Sequence, residues 1–364
     1  MTPQRILVIR LDRIGDVVLT TPLVRVLREA CPSARIAMLV RPDCGELLEG
    51  HPDLNDVIVY DKAGAQRSIW GTLRFAWALR AKRFDTAVIA HPTHRSHWIA
   101  WLAGIPVRIG YARKGGWLLT HRRPHQKQEG TRHEADYAVE LLGALGLAAS
   151  PAAGGTSSPA GMVPARSADG QPLRPVIAVS PEARARVSKF LQDRGVGESE
   201  ALIAVHPSAS CPSKRWPPER FAQVADALIA SHGARIVVVA GPGDLPPARD
   251  MIAAMRQTPL DAAGRLSVGE LAALLARCRL LISNDSGPVH VAAAVGTPVI
   301  DIFGRNQAGL SPSRWGPLGE GHVVLHREVG CRVCLAHACP IGFLCLDAIS
   351  PQEVRDAAGR LLAR

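Results

Sequence analysis

The sequence predicts an α/β protein made of two halves, each a parallel sheet flanked by helices. Three observations carry that prediction. Short apolar runs alternate with amphipathic stretches from residue 5 onward, as strands joined by helical crossovers do. The alternation stops at residues 148–172, where alanine, glycine, serine and proline replace the large apolar side chains, and then it restarts. At 364 residues the chain is long enough for two domains, each with its own core.

In the first half, RILVIR (5–10) reads as a strand, LDRIGD as a turn, and Val17 to Ala30 as a helix. ARIAMLV, VIVYD, DTAVIA and PVRIGY supply further strands, with helical stretches among them. HEADYAVELLGALGL (133–147) is an amphipathic helix that ends at glycine. In the second half, EARARVSKFLQDRG, PERFAQVADALIASHG and SVGELAALLARC read as helices, and ALIAVHP and ARIVVVAGP as strands. The expected division is a domain over 1–150, a linker over 151–175, a domain over 176–349 and a terminal helix over 350–364. The composition of that helix allows it to pack on either half.

Charge narrows the partners. Forty-three Lys and Arg against 32 Asp and Glu leave a formal charge of +11, and arginine far outnumbers lysine. Guanidinium forks suit phosphates and carboxylates, so an anionic partner is expected. Basic clusters at Arg80–Arg83, Arg108–Lys114 and His121–Lys127 all fall in the first half, although each alone could be a solvated surface. No zinc-finger spacing or aromatic-interleaved basic platform points to nucleic acid. No apolar run reaches the roughly 18 residues of a membrane span, and a strand begins almost at once, so a cytoplasmic protein without a signal peptide is expected.

The densest motif is LLISNDSGPVHVAAAVGTPVIDIFG, Leu280 to Gly304. It reads as a buried strand, a polar turn with Asp285, Ser286 and Gly287, a small-residue helix and a second strand. Ligands of open α/β sheets bind at that edge, and a helix N-terminus suits a phosphate. Asp285 could instead simply cap the helix. RLDRIGDVVLTTP (10–22) places Asp16 at the carboxyl edge of the first sheet. A carboxylate there can take a proton from an attacking sugar hydroxyl. Equally, Asp16 could be a first-turn helix residue with a depressed pKa, a poor base. AVHPSASCPSKRWPPERF (204–221) offers Ser208, Ser210 and Lys214 after a strand that ends at His206, groups that suit a phosphate or a plain surface loop. VVVAGPGD (237–244) offers Asp244 to ribose hydroxyls or to a helix cap.

The three loops of the second half converge on one edge and together suit a nucleotide diphosphate. The absence of GxGxxG after a strand and of a Walker sequence disfavours a dinucleotide oxidoreductase or a P-loop NTPase. There is also no Asp-x-Asp pair, which weighs against a metal-chelated nucleotide sugar. Cys331, Cys334, Cys339 and Cys345 lie within fifteen residues and leave a structural metal, reduced thiols and a redox disulfide all open.

RLDRIGDVVLTTP, HEADYAVELLGALG, HPSASCPSKRWPPERF, AGPGD and SNDSGPVHVAAAVGTPVIDIFG, in this order, resemble glycosyltransferase family 9, the heptosyltransferases, over residues 4–355. The resemblance implies a GT-B fold, two Rossmann-like domains facing across a cleft, with the final helix crossing back to the first domain. It implies inverting, metal-independent transfer of heptose from ADP-heptose to the lipopolysaccharide inner core, with no cofactor. By the same resemblance Asp16 is the acceptor-activating base, Ser208, Ser210 and Lys214 contact the diphosphate, and Lys214 stabilises its departure. Asp244 stands where many members carry glutamate near the ribose, and Leu266 where a side chain lies beside the adenine. Asp285 touches the donor sugar, Ser286 and Gly287 clamp phosphate, and His290 is structural. Ala209 departs from the pattern, lacking a hydroxyl.

The expected partners are therefore ADP-heptose, an anionic lipid-linked glycan and, peripherally, the cytoplasmic face of the inner membrane, with no nucleic acid. Two rivals stay open: the same fold with another nucleotide-sugar donor and a non-lipopolysaccharide acceptor, or a catalytically silent nucleotide-sugar-binding protein.

Overall fold

A computed structural model describes residues 3–147, 172–331, 334 and 339–363. Twelve strands among them form two six-stranded sheets. The first contains β1 (Arg5–Ile9), β2 (Arg35–Val40), β3 (Asp56–Val59), β4 (Thr86–Ile89), β5 (Val107–Tyr111) and β6 (His121–Arg123), in the order β3-β2-β1-β4-β5-β6. All its pairings are parallel, with Ile6 beside Ile36 and Thr86. Alternate residues of β1 serve opposite faces: Ile6 and Val8 join one buried cluster with Ile36, Met38 and Val88, while Leu7 and Ile9 join another with Leu39 and Ile89. A sheet covered on both faces needs such continuously apolar strands.

The second sheet contains β7 (Leu202–His206), β8 (Arg235–Val238), β9 (Leu260–Asp261), β10 (Leu280–Asn284), β11 (Val299–Phe303) and β12 (Val323–His326). Its order, β12-β11-β10-β7-β8-β9, is also parallel throughout. In both sheets the first strand is central and the chain leaves it in opposite directions before and after one long crossover. The reversal falls between β1 and β4 and again between β7 and β10, where ligands of such sheets bind. The short edge strands β6, β9 and β12 lack a long apolar run, so local pattern did not announce them.

Several boundaries differ from expectation. The helix expected from Val17 begins at Ile14 and breaks after Val18, and a second helix runs from Thr21 to Ala30. Thr20 and Thr21 hydroxyls donate to Asp16 O and Val18 O, each at 2.8 Å, and Pro22 has no N–H to continue the ladder. Glu134–Glu140 is α-helical but continues as a 3₁₀ segment, Leu141–Leu145, before Gly146 closes it at φ +71°.

The chain divides into two compact units, residues 1–178 and 179–364. Most of the expected linker lies outside the described residues. Its end, however, belongs with the first unit: Leu173 is in that core, Val176 N–H donates to Thr21 Oγ1 and Ala178 N–H to Leu47 O, each at 2.9 Å. The final helix, Pro351–Leu362, places Val354, Ala357, Ala358 and Leu361 in the second core beside Trp216 and Phe221. Of the two halves its composition allows, this stripe serves the second. No helix among the described residues is long and apolar enough to cross a membrane.

Candidate functional site

In the first unit, the site begins where β1 ends. Arg10, 2% exposed, follows directly and is held by four partners. Its guanidinium pairs with Asp16 Oδ1, with Glu134 Oε1 at 3.1 Å and with Asp12 Oδ2 at 3.5 Å, and donates to Ala90 O at the end of β4. Lys127 Nζ meets the same Glu134 oxygen at 2.6 Å, and His91 Nε2 lies 3.5 Å from Asp12 Oδ2. Two fixed cations and three carboxylates thus share the reversal point of this sheet.

Burial is the largest influence on Asp16 and disfavours its charge. Arg10 pulls the other way, but Asp12 and Glu134 add to the burial, and the carboxyl is pushed up to about 6. The depressed-pKa reading of Asp16 is thereby overturned, since a first-turn position alone does not set the titration of a buried group. Burial also works against Arg10, yet its three carboxylate neighbours raise it further, so it stays charged. His91 is lowered to about 4, chiefly by burial, and is neutral at physiological pH.

In the second unit, the loops leaving β7, β10 and β11 meet. Lys214 Nζ stands 2.6 Å from Asp285 Oδ2 and donates to Asp285 O at 3.4 Å; Arg305 Nη2 lies 3.7 Å from the same carboxylate oxygen. The helix Gly287–Ala294 starts beside this cluster, with extended Ser286 as its N-cap and no side-chain cap bond. Asp285 pairs with cations and does not cap, so the plain capping reading is corrected.

Neighbouring bonds hold the loops. Asn284 accepts from Trp216 N–H at 3.0 Å and donates through Nδ2 to Pro207 O at 2.7 Å, tying the β7 loop to the end of β10. A Cβ on Gly304 would fall 2.3 Å from Ser213 O, so only glycine lets the β11 exit approach the turn that carries Lys214.

Beneath the turn runs a buried polar row. His206, Ser283 and Asp301 are register neighbours on β7, β10 and β11. The Ser283 and Ser286 hydroxyls both donate to Asn284 O, at 2.7 and 2.9 Å, so His206 Nδ1 is the donor toward their oxygens, 3.3 and 3.1 Å away. Burial lowers His206 to about 4, leaving the ring neutral. Asp301 is wholly buried, and among the described residues neither oxygen has a hydrogen-bond partner. Burial, then the nearby Asp285, raise its carboxyl well above the ordinary range against the pull of Lys214.

The remaining expected residues are placed differently. Ser208 is fully buried and donates to Asp244 O at 2.6 Å, joining the β7 and β8 loops through a backbone carbonyl. Asp244 begins the helix Leu245–Ala254 with an exposed side chain and no cap bond. Ser210 is exposed, and among the described residues no hydrogen bond ties it to the cluster. Leu266, half-buried, precedes the Ser267 cap of the helix Val268–Arg277. His290 is buried in its helix. Ala209 supplies only its carbonyl, to Arg215 Nε at 2.7 Å. All eight cysteines are free thiols, and among the described residues no three His, Cys, Asp or Glu side chains gather as a metal site.

Sequence reasoning missed Arg10, Glu134, Asn284, Asp301 and Arg305. An acid inside the apolar run VIDIF was the available signal for Asp301, since a buried carboxyl is costly without a purpose or a partner.

Comparison with known proteins bears on both units. The sequence profile of glycosyltransferase family 9 (heptosyltransferase) matches residues 72–344. This chain belongs to glycosyltransferase family 9. Lipopolysaccharide heptosyltransferase 3 of Escherichia coli is 29% identical over 295 residues, 80% of each chain. The family 9 glycosyltransferase of Veillonella parvula superposes with a TM-score of 0.83 at 29% identity, covering 99% of this chain and 97% of that one. The ADP-heptose lipopolysaccharide heptosyltransferase II of E. coli does so with a TM-score of 0.79 at 25% identity, covering 99% of both. The fold of this family 9 glycosyltransferase is accordingly GT-B, with a Rossmann-like sheet in each unit.

Proposed function

We propose that this glycosyltransferase moves heptose from ADP-heptose to the inner core of lipopolysaccharide or a related lipid-linked glycan, inverting the anomeric centre without a metal. The observation that carries the reading is the Lys214–Asp285–Arg305 cluster at the start of the helix Gly287–Ala294. Two cations and a helix N-terminus gathered at a sheet reversal suit a diphosphate. Asp285, between the cations, keeps them in place and offers a carboxylate to sugar hydroxyls.

In the proposed reaction Asp16 accepts the proton of the acceptor hydroxyl. The oxygen attacks the anomeric carbon from the side opposite the nucleotide. The bond from that carbon to the diphosphate oxygen breaks, and its electron pair stays on the phosphate. Lys214, Arg305 and the backbone at Ser286 and Gly287 stabilise that charge. Ser210 and Asp244 are exposed on neighbouring loops and serve the diphosphate and ribose, while Leu266 serves the adenine. Ser208, whose hydroxyl is engaged with Asp244 O, shapes the loop. The enzyme works peripherally at the cytoplasmic face of the inner membrane, where a lipid-linked acceptor lies.

Turnover of a panel of ADP-, UDP- and GDP-sugars with a heptose-deficient core acceptor tests this reading. The expected result is ADP release from ADP-heptose alone, with an inverted linkage in the product. Preference for another donor, or retention at the anomeric carbon, overturns it.

A further inference from the structure

Five of the seven tryptophans fall between residues 70 and 117. All five are exposed: Trp70 by 80%, Trp77 by 77%, Trp117 by 65%, Trp101 by 45% and Trp98 by 38%. Hydrophobic burial does not leave that much indole in water without a counterpart. Helical spacing organises them. Trp70, Arg74 and Trp77 stand at i, i+4 and i+7 of the helix Ile69–Arg80, hence on one face. Trp98 and Trp101 lie on the adjoining helix His94–Leu102, where Trp98 meets Trp101 and Trp117 edge to face at 5.4 and 6.0 Å.

The same span is strongly basic. Residues 62–128 hold thirteen Lys and Arg and a single acid, Asp85. That acid accepts backbone N–H groups from Gln4 and Arg5, each at 2.8 Å. Arg74, Arg80, Lys82 and Arg83 are exposed and form no ion pair among the described residues. Beside Trp77, an open cavity of about 590 Å³ is lined by Arg80, Arg83, the backbone-bonded Asp85 and the turn at Gly104.

We infer that this face of the first unit docks on an anionic lipid bilayer, with the indoles at the headgroup level and the arginines on lipid phosphates. The inference gives a surface to the peripheral attachment proposed above and rests on it. Tryptophan is the side chain favoured at that depth, because its ring is apolar and its N–H is polar. Unpaired arginines supply the charge complement, and the cavity has room for a phosphate headgroup. A single-stranded nucleic acid fits less well: the Trp98 cluster holds its rings edge to face, whereas base stacking needs parallel open faces.

Vesicle sedimentation of the full chain is the test. The wild type is expected to sediment with vesicles of equal parts phosphatidylglycerol and phosphatidylcholine, to ignore phosphatidylcholine alone, and to be released by high salt. Its tryptophan emission should be quenched by lipids brominated near the headgroup end of the acyl chain. Combined Trp70→Ser, Trp77→Ser and Trp101→Ser should lower the bound fraction at least roughly tenfold, with circular dichroism and transfer to a delipidated acceptor unchanged. No binding to phosphatidylglycerol vesicles overturns the inference, as does undiminished binding by the triple variant. A dimer that the triple variant dissolves would assign the face to a second copy of the chain instead, and also overturns it. Vesicle binding without any heptose transfer would sink the proposed function and leave this surface standing.

Discussion

Lys214 Nζ and Asp285 Oδ2 are 2.6 Å apart, although 71 residues separate them along the chain. Their side chains are 13% and 5% exposed, so this is a desolvated pair and not a surface bridge. It forms because β7 and β10 are neighbours in the second sheet, which sets the loop after one against the turn after the other. Arg305, from the exit of β11, adds a second cation to one carboxylate, leaving positive charge for an anion.

Removing Lys214 should therefore act twice. Lys214→Ala leaves a buried carboxylate with only Arg305 at 3.7 Å, which should cost about 3 kcal/mol of stability. It should also weaken ADP binding by roughly tenfold or more, as loss of a charge-assisted contact does. Chemical denaturation and calorimetric titration with ADP check the two effects. Unchanged ADP affinity in a folded variant would remove Lys214 from the diphosphate.

Asp16 should govern the acid limb of the pH–rate profile. With its carboxyl pushed up to about 6, kcat/KM should rise through pH 6 and level above it. Asp16→Asn should lose roughly 10²–10⁴-fold in rate and lose that limb, while ADP affinity stays. The stability sign is opposite to the usual carboxylate. A raised native pKa contributes stability that is fully present only below the unfolded value of 3.8 and is lost as pH rises from there through about 6. Thermal melts across that window should slope downward in the wild type and be flatter in Asp16→Asn.

Asp301 gives a second pH signature. Its carboxyl lies well above the ordinary range in the folded protein, so its contribution is complete at acid pH and declines as pH rises through the raised value. Asp301→Asn keeps a neutral group of similar shape and should fold normally. Its melting temperature should fall less with alkaline pH than that of the wild type. Parallel curves would mean that the Asp301 carboxyl is not raised in the folded protein.

Gly304 tests how the loop carrying Lys214 is positioned. Gly304→Ala forces a methyl against Ser213 O and Leu346, and should cost roughly 1–3 kcal/mol and weaken ADP binding through Lys214. Gly243→Ala, where nothing lies within 4 Å of the new carbon, is the control and should be close to neutral.

The two parallel sheets, most of their strands and the placing of Asp16, Lys214 and Asp285 at strand exits were legible in the linear sequence. Those features are local: short continuous apolar runs mark strands, longer amphipathic periods mark helices, and a polar turn between them marks the sheet edge. Other features waited for the three-dimensional chain. Arg10 meets Glu134 from 124 residues away, burial beside Asp285 raises the Asp301 carboxyl, and the final helix settles into the second core. So does the titration of Asp16, which burial reverses from the value its helix position suggests. Pattern along a chain states which faces are apolar, but strand order decides which groups become neighbours and which lose their water. Charge chemistry depends on both, and neither is written in the local period.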